Sequence, residues 1–223
     1  MGRLRSCSTV KRHFRSNMKS TLFLLLLVVF GSFGCNSKST SSNKNPSPEV
    51  KRGVVPVPDN EIAVIEMEQP AYGTIKLELY SNIAPKMVAR FKELAAEGVY
   101  NGTTFHRINH SVIQGGDPLS KDDDPANDGT GSSNKPNVDA EFSDIPYDTG
   151  ILGAARSQNF NSANSQFFIT LKREPAFDNK YTIFGKVIEG LNNVRTISGV
   201  QPKEGERPVE AVKIKTITIQ PKN

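Results

Sequence analysis

The chain has 223 residues, of which 36% are hydrophobic and 23% charged, a composition typical of a soluble globular protein rather than a disordered or fibrous one. Residues 1–35 contain six of its 28 basic residues and none of its 23 acidic ones, so the net charge of +5 belongs to the N-terminus. The remaining chain carries 22 basic and 23 acidic residues, and we therefore expect no nucleic-acid partner.

The two cysteines, Cys7 and Cys35, lie in the same N-terminal stretch. The rest of the chain therefore has no disulfide, no cysteine nucleophile and no cysteine-based metal site.

The segment from Met18 to Cys35, MKSTLFLLLLVVFGSFGC, has the layout of a secretory signal peptide: one basic residue, about a dozen apolar residues, then small residues. Its apolar run is shorter than the ~20 residues that span a bilayer. We interpret residues 1–35 as a signal peptide. Residues 1–17 are either a long n-region or precede a true start at Met18.

The end of this segment resembles a bacterial lipoprotein signal, whose cleavage exposes a cysteine that receives acyl chains. Gly34 suits the position before the cysteine, whereas Ser32 and Phe33 replace the usual Leu and small residue. By resemblance, Cys35 is the lipid attachment site, and the protein is a membrane-anchored lipoprotein on the periplasmic or extracellular face of the cell envelope. Ser32 and Gly34 also fit ordinary signal peptidase, so a soluble secreted or periplasmic protein remains an alternative, as does an uncleaved anchor.

Residues 36–58 are rich in Ser, Asn, Lys and Pro, with almost no large apolar side chain before Val54. Such a segment cannot bury enough surface to offset the entropy of ordering it. We expect a flexible tether that lifts a folded domain, residues 59–223, off a lipid surface.

From Asp59 onward the pattern predicts an all-β domain with two helices. Thr74–Tyr80 alternates apolar and polar residues, as a half-buried strand does. Other short β-rich runs are Ile62–Met67, Thr103–Ile108, Val112–Gln114, Ile151–Ala154, Phe167–Thr170, Thr182–Val187 and Val212–Ile219. Many short strands without βαβ order favour a closed antiparallel barrel with helices at its ends.

The two helices are predicted over Ala84–Glu97 and Leu191–Ile197. In the first, Pro85 fits the first helical turn and Gly98 ends the helix. The long irregular segment 119–141 is acidic, but it lacks the alternating acids and terminal Glu of a calcium loop, so we expect a solvated loop and no metal.

Three segments carry the functional signal: FHRINHSVIQGGDP (105–118), GILGAARSQNFNSANSQFFIT (150–170) and FDNKYTIFGKV (177–187). Together they resemble the cyclophilin family, which shows F-H-R, Q-G-G-D, S-Q-F-F-I and F-G-K-V in this order. The resemblance extends from about Ile62 to Ile219. It implies a β-dominated fold, a closed eight-stranded antiparallel barrel capped by two α-helices, and peptidyl-prolyl cis/trans isomerase activity.

This activity lowers the barrier to rotation about a peptide bond, which is ~18–20 kcal/mol. X–Pro bonds populate the cis form but interconvert over tens of seconds or more. Catalysis requires a pocket for the proline ring, anchors for the flanking chain and donors that stabilise the twisted amide. It requires no nucleophile, so we expect no cofactor and no metal.

By resemblance, three residues are catalytic. The always-protonated guanidinium of Arg107 stabilises the lone pair that twisting localises on the proline nitrogen. Gln114 anchors a substrate carbonyl, and Phe168 forms the floor of the proline pocket.

The resemblance also implies a set of substrate-binding residues. Val112 and Phe177 are walls of the pocket and Tyr181 lies at its rim. The backbone at Ala155 and Arg156 binds the residue that precedes the proline.

Several positions depart from the family pattern. Six residues separate Arg107 from Gln114, where the family usually has seven, and counting back from Gln114 places Ser111 where a Phe usually lines the proline pocket. We therefore place Ser111 among the substrate-binding residues. Ala176 occupies the position of the tryptophan of eukaryotic relatives, and Tyr181 replaces their histidine. These departures bear on efficiency and inhibitor sensitivity more than on fold.

Two hypotheses follow. The first is an active isomerase that acts on proline-containing polypeptides among exported proteins. The alternative is a proline-peptide-binding chaperone or scaffold with little turnover, which the loss of the aromatic at Ser111 favours. In either case we expect a monomer that contacts a membrane through its lipidated N-terminus. His106 beside Arg107 is expected to be structural, because the reaction needs no proton transfer.

Overall fold

The computed structural model describes residues 47–200 and 206–222. The signal peptide expected over residues 1–35 and the lipid attachment expected at Cys35 lie outside these ranges. No helix within them is long and apolar enough to cross a membrane.

The domain is built on one eight-stranded antiparallel sheet and two helices. The strands of this sheet are β2 (Glu61–Met67), β3 (Thr74–Leu79), β4 (Arg107–Ile108), β5 (Val112–Gly115), β7 (Ile151–Ala154), β8 (Phe167–Thr170), β9 (Ile183–Glu189) and β10 (Ile214–Pro221). Two short strands, β1 (Val50–Lys51) and β6 (Phe142–Ser143), pair separately. The spatial order in the large sheet is β10-β2-β3-β9-β7-β8-β5-β4.

The sheet curls into an open half-barrel, so the expected closed barrel is wrong. β4 and β10 lie at the two ends of the strand order and do not pair with each other. The chain just before β4 does approach β10 through an isolated bridge between Thr104 and Lys213, and the Phe105 N–H donates to the Val212 carbonyl at 2.9 Å. Because β4 is only two residues long, this contact does not extend into a ladder.

The predicted alternation in β3 is confirmed. Ile75, Leu77 and Leu79 are fully buried, whereas Lys76 and Glu78 are only partly so. Since successive side chains of a strand point to opposite faces, the three apolar residues all lie on the core side of the sheet.

Both helices form where the sequence predicts them, as α1 (Pro85–Ala96) and α2 (Leu191–Ser198). Ala84 gives α1 no side-chain cap, and the carboxylate of Glu141 instead accepts the N–H groups of Lys86 and Met87 at 3.2 and 3.0 Å. The buried face of α1 consists of Met87, Val88, Phe91, Leu94 and Ala95.

Strand β8 separates two apolar clusters. The ring of Phe167 is in the main core, with its centroid 5.6 Å from that of Phe91. The next residue, Phe168, belongs to a second group, which we call the outer cluster. Its buried members are Tyr80, Ile83, Val112, Tyr147, Ile151, Phe168 and Ile183. The alternation of β8 therefore turns Phe168 toward the site described below.

Of the tether expected over residues 36–58, residues 36–46 lie outside the described ranges, and the part from Val50 onward is hydrogen-bonded to the folded domain. Strand β1 pairs in parallel with β6. The side-chain amide of Asn82 donates to the carbonyl of Val55 at 2.9 Å and accepts the N–H of Val57 at 3.0 Å. The folded part therefore begins by Val50, because this extended segment finds partners far along the chain that local composition does not show.

Candidate active site

A groove of about 390 Å³ is lined by residues of β4, β5 and β8 and by the loops that follow β5, β7 and β8. It collects eight of the nine residues predicted to form the site on the domain. They are Arg107, Val112, Gln114, Ala155, Arg156, Phe168, Phe177 and Tyr181.

Arg107 and Gln114 are direct partners across the β4–β5 hairpin. Arg107 Nη1 donates to Gln114 Oε1 at 3.2 Å. Gln114 Nε2 in turn donates to Gln166 Oε1 at 2.9 Å, and Gln166 Nε2 donates to the carbonyls of Gly129 and Gly131 at 3.1 and 2.8 Å. This chain of donors fixes the polar half of the groove to the loop opposite it.

A carboxylate holds the other side of the Arg107 guanidinium. Arg107 Nε donates to Glu206 Oε2 at 2.6 Å, and Asn109 Nδ2 donates to the same oxygen at 3.1 Å. Burial by itself would raise the pKa of Glu206, but the hydrogen bonds from Asn109 and Arg107 outweigh it and hold that pKa below its usual value. Among the described residues, Nη2 of Arg107 makes no hydrogen bond and remains available to a substrate.

Aromatic rings form the apolar half of the groove. The ring of Phe168 lies 5.5 Å from that of Phe177 and 5.7 Å from that of Tyr181, centroid to centroid. Tyr147 stacks against Phe168 at 5.8 Å. A Cβ on Gly153 would come within 2.4 Å of the Phe168 ring, so only glycine lets this ring lie across β7.

The backbone at Ala155 and Arg156 borders this apolar half. The N–H of Ala155 donates to the carbonyl of Gln166 at 3.0 Å. Within the described residues the backbone N–H and C=O of Arg156 have no hydrogen-bond partner, and Arg156 lines the groove.

Ser111 is the exception among the predicted site residues, because it does not line the groove. Its hydroxyl donates to Glu174 Oε1 at 2.6 Å, and the residue is buried. The shortened turn explains this: Asn109 Oδ1 accepts the N–H groups of Ser111 and Val112 at 2.8 and 2.9 Å. The tight turn directs Ser111 to Glu174, and its expected place in the proline pocket is corrected accordingly.

Asp117, the acid of the QGGD motif, has a structural role that its sequence position does not indicate. Asp117 is fully buried, and its carboxylate accepts the N–H groups of Leu119, Gly129 and Gly131 at 2.8, 2.5 and 3.0 Å. It thereby shapes the loop to which Gln166 is hydrogen-bonded. Asp117 and Gln166 both stand in the quoted motifs, whereas no sequence signal points to Glu206.

His106 lies outside the groove lining and is buried, and burial lowers its pKa. The acidic residues Asp122–Asp124 are exposed, as expected of a solvated loop. Across residues 47–200 and 206–222 no cluster of three or more acidic, His or Cys side chains has metal-binding geometry.

Known proteins share this sequence pattern. Residues 63–219 match the model of the cyclophilin type peptidyl-prolyl cis-trans isomerase/CLD family. A Brucella suis protein named "Probable peptidyl-prolyl cis-trans isomerase" is 47% identical over 130 residues, 56% of this chain and 66% of its own length. A peptidyl-prolyl cis-trans isomerase of Schizosaccharomyces pombe is 40% identical over 148 residues, 66% of this chain and 92% of its own. The chain thus spans just under two thirds of the Brucella relative and most of the yeast one.

The fold agrees with this match. A crystal structure of a Cryptosporidium parvum cyclophilin type peptidyl-prolyl cis-trans isomerase, determined in the presence of the dipeptide Ala-Pro, superposes with a TM-score of 0.65 at 32% identity. The superposition covers 72% of this chain and 99% of that one. Sequence, fold and groove together place this chain in the family of cyclophilin-type peptidyl-prolyl cis-trans isomerases.

Proposed function

We propose that the groove accelerates cis/trans rotation of X–Pro bonds and that Arg107, Gln114 and Phe168 are its catalytic residues. The observation that carries this proposal is the pairing of Arg107 with Gln114 beside the ring of Phe168. The groove thus offers fixed donors next to an apolar surface on which a proline ring can pack.

Each half of the groove has a task in this mechanism. The proline ring packs against Phe168, with Val112 and Phe177 as walls, which holds one side of the bond still. As the amide twists, its nitrogen loses conjugation and gains a localised lone pair, toward which Nη2 of Arg107 donates. Because this interaction is stronger in the twisted state than in either planar state, it lowers the barrier without breaking a covalent bond.

The alternative is a proline-peptide-binding chaperone with little turnover. It is favoured by the position of Ser111, since no aromatic side chain takes the place of the family's Phe in the groove. The retained Arg107 favours the enzyme, because binding alone does not require a cation next to the X–Pro bond.

A protease-coupled assay separates the two. In this assay chymotrypsin cleaves only the trans form of a short X–Pro peptide, so the slow phase reports isomerisation. We expect the protein to accelerate this phase in proportion to its concentration. Peptide binding without acceleration would support the chaperone instead.

We expect weak inhibition by cyclosporin. In the family, the indole of the usual tryptophan gives that ligand both apolar area and an N–H donor, whereas Ala176 gives neither. We predict that Ala176→Trp tightens the inhibition constant by about tenfold, the factor that corresponds to ~1.4 kcal/mol. Inhibition of the unmodified protein as tight as that of a tryptophan-bearing relative would contradict this.

We also propose that the protein is a monomeric lipoprotein of the cell envelope that acts on exported proteins. Support comes from the signal-like segment that ends at Cys35 and from the completeness of the groove within one chain. Stable anchoring requires more than one acyl chain, because each buried methylene contributes only ~0.8 kcal/mol.

We predict that the wild-type protein partitions with membranes and that Cys35→Ser releases it or leaves it unprocessed. Mass spectrometry of the mature N-terminus and fractionation measure this outcome, with Cys7→Ser as the matched control that should change neither. A free, unmodified Cys35 on a soluble protein would remove the anchor and leave the isomerase proposal intact.

A further inference from the structure

The groove has an uncompensated positive charge at Arg156. Among the described residues, the lining contains two arginines, Arg107 and Arg156, and no Asp or Glu. The charge of Arg107 is offset by Glu206 at 2.6 Å. Arg156 forms no ion pair with any described residue. Asp178, an acidic residue of the loop that carries Tyr181, is paired with Arg173 instead.

The guanidinium of Arg156 is held in one place. Its central carbon lies 4.4 Å from the ring centroid of Tyr181 and 4.9 Å from that of Phe160. Nε and Nη2 donate to the carbonyl of Lys180 at 3.1 and 2.7 Å, and Nη1 donates to that of Ser157 at 2.8 Å. These bonds use three of the five guanidinium donors and leave two for a ligand.

This arrangement suits the recognition of a carboxylate. A stacked, planar cation loses little conformational entropy when it binds, and its two remaining N–H groups can donate to a carboxylate. Tyr181 also belongs to the apolar half of the groove, so the cation stands beside the place where the proline ring is proposed to pack.

We propose that Arg156 is a specificity-determining residue and that it selects proline peptides in which an acidic residue immediately precedes the proline. This inference rests on the proposed function, in which the open backbone N–H and C=O of Arg156 bind that preceding residue. A Glu or Asp bound there brings its carboxylate alongside the Arg156 guanidinium.

The test compares two peptides that differ in one atom and one charge, Ala-Glu-Pro-Phe and Ala-Gln-Pro-Phe. Protease-free NMR exchange spectroscopy with the full chain in detergent gives kcat/KM for each at low salt. We expect Glu-Pro to exceed Gln-Pro by about fivefold, which corresponds to the ~1 kcal/mol of a favourable, partly exposed charge pair.

The variants are compared by the ratio of kcat/KM for the Glu-Pro peptide to kcat/KM for the Gln-Pro peptide. Arg156→Gln should bring the ratio to about one, and Arg156→Glu should invert it. Raising the salt to 0.5 M should reduce the wild-type ratio, since screening weakens exposed charge pairs. Arg195→Gln removes an exposed arginine of α2 that does not line the groove and should leave the ratio unchanged.

A wild-type ratio near one, or a ratio that survives Arg156→Gln, would overturn the selection while leaving the isomerase proposal standing. If neither peptide is turned over, the proposed isomerase function fails. Selection of an acidic residue by Arg156 is then tested by the Kd values of the two peptides in an NMR titration. Equal Kd values would overturn this selection.

Discussion

Replacing Arg107 with Ala is expected to lower kcat/KM for an X–Pro peptide by about a hundredfold, the scale of losing one electrostatic donor in a preorganised site. The side chain is 44% exposed, and its ion pair with Glu206 is partly exposed as well, so the fold depends little on it. Isomerisation kinetics measure the loss, and thermal unfolding verifies that the variant is folded.

Arg107→Lys is the matched variant, because it keeps the positive charge but lacks the planar guanidinium with its separate N–H donors. One ammonium cannot reproduce the planar geometry in which Nε binds Glu206, Nη1 binds Gln114 and Nη2 stays free. We expect it to recover only a small part of the lost activity. Wild-type-like turnover in folded Arg107→Ala would exclude the proposed mechanism.

Replacing Asp117 with Ala is expected to lower the free energy of unfolding by roughly 3 kcal/mol, because three backbone N–H groups lose their acceptor in a buried place. Leu119 limits how far the loop can collapse into the space that the carboxylate leaves, because a Cβ on Gly131 would already lie 2.7 Å from Leu119 Cγ. Urea denaturation measures the change.

Two variants serve as controls for Asp117. Asp117→Asn keeps one carbonyl oxygen as acceptor and should lose less stability than Ala. Asp123→Ala removes an exposed acid of the same loop and should change stability by no more than about 0.5 kcal/mol. A loss below about 1 kcal/mol in Asp117→Ala would show that the hydrogen bonds to Asp117 do not hold the loop.

Local patterns predicted the elements of the fold well. The period of two in β3 and the helical spacing in α1 both reflect which side chains are buried, and burial is what fixes these elements. Alternation along β8 and the family resemblance together predict the orientation of Phe168. One of two neighbouring strand residues faces the core, and in the structure this is Phe167.

Contacts between distant segments were not predictable in this way. The ion pair between Arg107 and Glu206 joins residues 99 positions apart, and neither stands in a pattern that indicates the other. The pairing of β1 with β6 and the open end of the half-barrel also depend on which edges meet in space.

Ser111 shows where a resemblance misplaces a residue. Alignment by counting back from Gln114 assumes that the turn after β4 keeps its path when it loses a residue. The side chain of Asn109 instead closes a tighter turn, and Ser111 bonds to Glu174. A one-residue deletion thus changed the direction of a side chain that spacing alone assigned to the pocket.

The most direct test of the account is two-dimensional NMR exchange spectroscopy on a short X–Pro peptide with a catalytic amount of the protein. Uncatalysed X–Pro exchange takes tens of seconds or more, too slow for exchange cross-peaks at mixing times below a second. We predict cross-peaks between the cis and trans resonances that disappear with Arg107→Ala. Peptide shifts that titrate with the protein while no exchange cross-peaks form would contradict the account and leave a proline-peptide binder in its place.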